Sequence, residues 1–207
     1  MSESKEKFII LKKTKYSESD LIIHALSPTG AKLSFMARSA LKSKKRFGGG
    51  VLEPTHFVSL TYKKGRSDGA MASLTEATLL DGFDEIRLDY DKLELALFIL
   101  NCAYHVAQEG DSGSQFLFNL VGHSLRALQK SNKVNLLKLH FCLKFLYQQG
   151  VMSVDQWMTP FLKANISDHQ ALSEIPEADD FVSEYLDSIE SQVFQYIKTA
   201  DNSGTHF

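Results

Sequence analysis

The chain has 207 residues, of which 43% are hydrophobic and 23% charged; that balance excludes a disordered, collagen-like or disulfide-rich polypeptide and allows one large domain or two small ones. The formal net charge of −2 conceals a division, because residues 1–80 hold 14 Lys+Arg against 7 Asp+Glu and residues 81–207 hold 9 against 18. Such asymmetry predicts a basic binding module joined to an acidic one.

At the amino terminus Glu3, Lys5, Glu6 and Lys7 are mixed in sign, and no apolar run of the signal-peptide kind follows them. The longest apolar stretch, Leu95 to Leu100, falls far short of the roughly 20 residues that span a bilayer. Cys102 and Cys142 show no pairing pattern, so the expected setting is the reducing cytoplasm, away from membranes.

Residues 8 to 82 read as strands. Phe8-Ile9-Ile10-Leu11 and Leu21 to Leu26 are short apolar runs, and Ser27-Pro28-Thr29-Gly30 closes the second with a turn signature. Leu33, Phe35 and Ala37 alternate with Ser34, Met36 and Arg38; Val58, Leu60 and Tyr62 alternate with Phe57, Ser59 and Thr61. A loop from Lys63 to Gly69 leads to a fifth strand around Met71 to Leu80. Five short strands without a helical period predict a small closed or partly closed barrel.

From Ile86 the period changes. Ile86, Tyr90, Leu93, Leu97, Leu100 and Tyr104 step by three and four and predict one apolar helix stripe, ending near Gly110. Ser112 with Gln115 suits a capping box for a second helix carrying Leu117, Val121, Leu125 and Leu128. Val134 to Gln149 is apolar on most sides and predicts a central helix stopped at Gly150. Ser153 with Gln156 suggests a short helix containing Trp157, Thr159 to Ala178 reads as a loop, and Phe181, Tyr185, Ile189, Val193 and Ile197 mark a last helix. The fold class is therefore α+β, with a barrel at residues 1–82 and a helical domain at 83–207.

The most informative segment runs from Arg38 to Gly50. Arg38, Lys42, Lys44, Lys45 and Arg46 stand beside Phe47 and three glycines; cations neutralise phosphates, rings stack on bases, and glycines let a loop follow a backbone closely. Lys12, Lys13, Lys15, Lys63, Lys64 and Arg66 fall at other strand ends and extend the same groove. A solvated basic loop is the competing reading, and the position on a small barrel favours nucleic acid. Phe47 serves equally as a base stacker or as an anchor to the core.

Other chemistry finds little support. Gly48-Gly49-Gly50 lacks the Lys-Ser/Thr that completes a phosphate-binding loop. Cys102 and His105 are three apart but His140 and Cys142 only two, which diverge on a helix, and no C-x-x-C occurs. No Gly-x-Ser-x-Gly or His-Glu-x-x-His is present, so neither a metal, a cofactor nor a catalytic residue is expected, and a small hydrolase would need a titrating cluster that the sequence does not offer.

The segments Phe8 to Lys12, Tyr16 to Ile22, Thr29 to Ser34 and Ala37-Arg38 to Pro54, above all Lys42-Ser43-Lys44-Lys45-Arg46-Phe47-Gly48-Gly49-Gly50-Val51-Leu52-Glu53-Pro54, resemble the opening of the bacterial RecO recombination mediators. That resemblance covers about residues 7 to 105 and implies an N-terminal OB-fold with a helical domain, in a non-enzymatic DNA repair protein. It implies binding of single- and double-stranded DNA, annealing of complementary strands, help in loading recombinase on strands coated with single-strand-binding protein, and a cytoplasmic, nucleoid-associated setting. RecR and the acidic, Phe-terminated tail of single-strand-binding protein are the implied partners. DNA contact would pass to Arg38, Lys42, Lys44, Lys45 and Arg46. Many relatives carry a four-cysteine zinc module after the third helix; here Val151 to Trp157 follows Gln149-Gly150 and both cysteines lie upstream, so no metal is carried over, and Trp157 is expected to fill that space by packing. For the acidic tail, Arg126, Lys130, Lys138 and Lys144 are candidates, against the plainer role of solubilising cations. An RNA-binding or protein-docking barrel without annealing activity is the alternative.

Overall fold

The structure, a computed structural model, describes residues 3–65, 71–110 and 114–203. These group into two compact units, one drawn from Met1–Phe83 with Ala107–Asn119 and the other from Asp84–Val106 with Leu120–Phe207. The second unit is thus interrupted in sequence.

In the first unit β1 (Glu3–Lys15), β2 (Leu21–Leu26), β3 (Lys32–Ala37), β4 (Phe57–Lys63) and β5 (Ala72–Asp81) form a closed barrel in the order β1-β2-β3-β5-β4. The 13-residue β1 closes the ring by pairing antiparallel with both β2 and β4, while β3 meets β5 in parallel at Phe35↔Ala72 and Met36↔Ser73. The period-two pattern decides which side faces in. Phe8 and Ile10, Leu21 and Ile23, Phe35 and Ala37, and Val58, Leu60 and Tyr62 form one buried cluster. Its centre is aromatic, with Phe35 edge-on to Phe8 at 5.2 Å and to Tyr62 at 5.0 Å between ring centroids.

The Ser27–Gly30 turn forms as its residues predict, with the Gly30 N–H donating to the Ser27 carbonyl at 2.9 Å. Gly30 has φ +82°, and a Cβ there would sit 2.0 Å from the Ser114 carbonyl oxygen, so only glycine fits. The basic segment is not an open loop. It contains one short helix, α1 (Lys44–Phe47), followed by a 3-10 turn at Gly48–Gly50.

The second unit is helical, with α2 (Tyr90–Val106), residues 120–130 of α3 (Gln115–Lys130), α4 (Val134–Gln148), α5 (Thr159–Lys163) and α6 (Ala178–Ser203). α4 is the central element. Nine of its residues are buried around most of its circumference, and it packs against α2, α5 and α6. Leu117, Val121, Leu125 and Leu128 of α3 are all buried, as are Ile189, Val193 and Ile197 of α6.

Three expectations need correction. A 3-10 turn at Asp84–Leu88 precedes α2 and separates Ile86 from the predicted stripe. The buried face of α2 is Leu95, Ala96, Ile99, Leu100, Cys102 and Ala103, with Tyr90 79% and Leu97 46% exposed; residues 95–100 are apolar all round, so the period alone could not select a side. Residues 159–178 are not a loop, since Pro160 occupies the first turn of α5, where its missing N–H costs nothing, and a 3-10 segment spans Ile166–Glu174. Phe161, Ile166, His169 and Leu172 pin both to the core. The 3-10 turn Gln156–Met158 begins after Asp155 without a side-chain cap, so Ser153 has no capping role. The proposed Ser112 cap lies outside the described residues.

Candidate nucleic-acid interface

The basic segment is held by its neighbours from the backbone outward. After β3 the chain turns at Ser39, whose φ of +54° is unusual for a residue with a side chain. The turn is fastened by the β1–β2 loop: the Ser39 N–H donates to Asp20 Oδ1 at 2.7 Å and the Leu41 N–H to the Ser19 carbonyl at 3.0 Å. The Ser39 N–H holds the Asp20 carboxyl below the usual carboxylate range, against some desolvation, with smaller help from Ser17, Ser19 and Arg38. Ser43 then caps α1, accepting from the Arg46 N–H at 3.4 Å and from Arg46 Nε at 3.1 Å. Arg46 Nη2 donates back to the Arg38 carbonyl at 3.0 Å, with the guanidinium 5.0 Å from the Phe47 ring centroid. Phe47 is 6% exposed and belongs to the barrel core, so it anchors α1.

This scaffold sorts the predicted cations. Arg38, Lys42, Lys44 and Lys45 are exposed together around α1. Among the described residues no carboxylate pairs with Lys42, Lys44 or Lys45. Arg46 is half-buried and spent on positioning. Lys13 is clamped by Glu53, its Nζ 2.6 Å from both carboxylate oxygens. Lys63 pairs with Ser73, which pairs in turn with Met36, so the ladder sets Lys63 two strands from Met36, about 10 Å away. Lys64 follows it, exposed. Lys15 ends β1 on the exposed side, and Arg66 lies outside the described residues. Lys12 sits in a different row, Lys12↔His24↔Ser34, across β1, β2 and β3.

That row reveals a surface the sequence reading passed over. Ile22, His24, Ser34 and Met36 alternate with the core residues of β2 and β3 and are half-buried, with Tyr16, 64% exposed, on the adjoining β1–β2 loop. His24 Nδ1 lies 2.9 Å from Ser34 Oγ. Burial, then the Lys32 and Lys12 charges, pushes the imidazole of His24 below its ordinary value. The same alternation that located the core also locates this outward face, once the strands are known to be neighbours.

Beside α1 a cavity of about 260 Å³ opens against the barrel. Leu21, Ala40, Phe47 and Leu52 give it apolar walls, and the Lys13–Glu53 pair, Ser43 and Lys44 supply its polar part. Gly49 and Gly50, both at φ +69°, form part of the rim.

In the helical unit the four candidate cations divide in two. Lys138 is 2.6 Å from Glu190 and lies over the Phe98 ring, and Lys144 donates to the Leu162 carbonyl at 2.8 Å; both are engaged internally. Arg126 and Lys130 instead line a cavity of about 220 Å³ with His123, Ser167, His169 and Gln170, and contain no carboxylate neighbour in that lining. His169 is 1% exposed; its Nε2 lies 2.8 Å from Ser131 Oγ and its Nδ1 has no partner among the described residues. Cys102 and Cys142 are buried with their thiols pushed up by desolvation, which makes them unreactive. Among the described residues no group of three His, Cys, Asp or Glu is placed to hold a metal ion, and no helix is long and apolar enough to cross a membrane.

Comparison with known proteins agrees with this architecture. The family described as "Recombination protein O N terminal" matches residues 1–83. The DNA repair protein RecO of Desulfatibacillum aliphaticivorans is 35% identical over 153 residues, covering 72% of this chain and 57% of the relative. That of Maridesulfovibrio salexigens is 32% identical over 149 residues, covering 72% and 59%. The chain spans little more than half the length of these relatives.

Proposed function

The chain belongs to the RecO family, and from that premise we propose that it is a DNA-binding recombination mediator in bacterial DNA repair. It binds single- and double-stranded DNA, anneals complementary strands and assists recombinase loading on strands coated by single-strand-binding protein, without a catalytic step of its own. It works in the cytoplasm on nucleoid DNA. The observation that carries this reading is the exposed, carboxylate-free group Lys42, Lys44 and Lys45, held on a closed barrel by the Asp20–Ser39 bond. Phosphates are the natural counter-ions of such a surface, and binding is then steeply salt-dependent and sequence-tolerant. Arg38, Lys63 and Lys64 extend it, and the outward face of β2 and β3 with Tyr16 gives bases a place to lie.

RecR and the acidic, Phe-terminated tail of single-strand-binding protein are the partners of this reading. With Lys138 and Lys144 engaged internally, Arg126 and Lys130 remain to receive the tail's carboxylates. Charge reversal of both should abolish binding of a synthetic acidic peptide ending in Phe, and unchanged binding excludes this cavity.

The primary test is a single-stranded DNA titration across a salt series with the parent chain and K44E/K45E. Each lost phosphate contact lowers the slope of log K against log salt by about 0.7, so the variant should lose about 1.4 of slope together with annealing. Unchanged annealing refutes the assignment of α1. Stronger binding of RNA than of DNA of equal length supports the RNA-binding alternative, and no salt-sensitive binding at all supports the docking one.

A further inference from the structure

The cavity beside α1 has a composition that phosphate binding alone does not need. Its walls are apolar, Leu21, Ala40, Phe47 and Leu52, and Phe47 closes it with an aromatic ring. Its polar part is a carboxylate and an ammonium in contact, Glu53 and Lys13, 38% and 30% exposed at their side chains, with Ser43, whose hydroxyl is already engaged by Arg46. Lys44, exposed on α1, stands at the same cavity. A flat ring with a hydrogen-bonding edge, attached to a phosphate, matches all three features.

We propose that this cavity holds one unstacked nucleobase of a bound single strand and favours guanine; the inference rests on the DNA-binding reading of α1 and sharpens it. Every base presents a neighbouring donor and acceptor on its Watson–Crick edge, so a carboxylate beside an ammonium accepts all four to some degree. Guanine alone presents two adjacent donors, N1–H and the 2-amino group, next to the O6 acceptor. Lys13 Nζ, which lies between the two Glu53 oxygens in the free protein, moves onto O6 as the base enters and leaves Glu53 to accept from both donors, which adds one hydrogen bond beyond what the other bases obtain. The apolar walls remove the competing water, and the rim glycines Gly48 and Gly49, where an added Cβ would meet none of the described residues within 4 Å, leave the entrance open. Lys44 and Lys45 take the flanking phosphates. The result is a strand anchored at one base while its remaining bases stay available.

The test uses the full chain, fluorescence anisotropy and three labelled strands of equal length: oligothymidylate, the same strand with one central guanine, and the same strand with hypoxanthine in that place, which lacks the 2-amino group. The guanine strand should bind roughly tenfold more tightly than oligothymidylate, and hypoxanthine should lose most of that gain. E53Q should erase the difference between guanine and thymine. Guanosine monophosphate, lacking neighbouring phosphates, should compete far more weakly than the guanine strand; equal competition overturns a strand as the source of the base. Salt-sensitive binding that is equal for all three strands overturns the guanine pocket and leaves DNA binding standing. Absence of binding to any strand overturns both.

Discussion

His140 makes the helical unit sensitive to acid. It lies on α4, 0% exposed, and among the described residues neither ring nitrogen has a hydrogen-bond partner within 3.5 Å. Burial lowers its pKa from 6.5 to about 3; the charges of Lys144 and His169 push the same way, while the backbone of Phe161 and Ala164 pulls back. Because the folded value lies below the unfolded one, the unfolded chain takes up the proton first as the pH falls. Stability is therefore full above pH about 6.5 and declines down to about pH 3. At 1.36 kcal/mol per pKa unit the whole interval is worth ~5 kcal/mol, of which ~2 kcal/mol is already lost at pH 5. Trp157 is the chain's single tryptophan and stacks on Tyr185 at 4.0 Å in the same unit, so its fluorescence follows urea unfolding of the unit that contains His140. The parent chain should lose ~2 kcal/mol or more between pH 8 and pH 5, with His169, whose imidazole burial also lowers, adding to the slope. His140→Leu removes the titration and two unpartnered nitrogens, so it should lie within ~1.5 kcal/mol of the parent at pH 8 and be the more stable of the two at pH 5. A parent midpoint that does not move between pH 8 and pH 5, or a His140→Leu chain with the full parental slope, would refute the reasoning.

Three further outcomes are expected. Gly30→Ala places a methyl group 2.0 Å from the Ser114 carbonyl oxygen at a positive φ and should destabilise the barrel by more than about 2 kcal/mol, read from the near-ultraviolet signal of its aromatic core during urea unfolding; a smaller change would show that residues 107–119 yield easily. Trp157→Ala removes the stack on Tyr185 and the contacts with Phe161 and Phe181 and should cost about 2–3 kcal/mol by circular dichroism, with a neutral result refuting a packing role. Asp20→Ala releases the Ser39 N–H and should weaken single-stranded DNA binding while the amides of Ser39 and Leu41 exchange faster with solvent. Since the Asp20 pKa is held below its ordinary value, this fastening is present above pH about 4 and is lost as the pH falls through the lower folded value; protection of the Ser39 amide that does not depend on Asp20 would remove it from the scaffold.

Much of the architecture was legible in local patterns. Alternation with period two set Phe35 and Ala37 on one side of their strand and Val58, Leu60 and Tyr62 on one face of theirs, and the barrel buries both sets; spacings of three and four marked the buried stripes of α3 and α6. These signals are local because the backbone geometry of a strand or helix sets them residue by residue. α2 and α4 were harder to orient, since both are apolar on most sides and their neighbours decide what is buried. Residues 159–178 misled for another reason: Pro160 begins a helical turn instead of ending one, and the burial of the segment depends on contacts made with α4.

The sequence by itself located a basic segment between two strands, the charge division and the strand-to-helix change near residue 81. It could not show which cations stay available, because a charge is satisfied by whatever the fold brings beside it. Lys13 meets Glu53 across 40 positions, Lys138 meets Glu190, and Lys144 reaches the Leu162 carbonyl. The same holds for Phe47, whose ring belongs to the core, and for Asp20, 19 positions from the Ser39 it fastens. Composition and period act along the chain and survive in the sequence. Pairing of charges and enclosure of a cavity act across it: the closed ring of β1-β2-β3-β5-β4 brings Lys13 to Glu53, and the packing of α4 against α5 and α6 brings Lys138 and Lys144 to their partners.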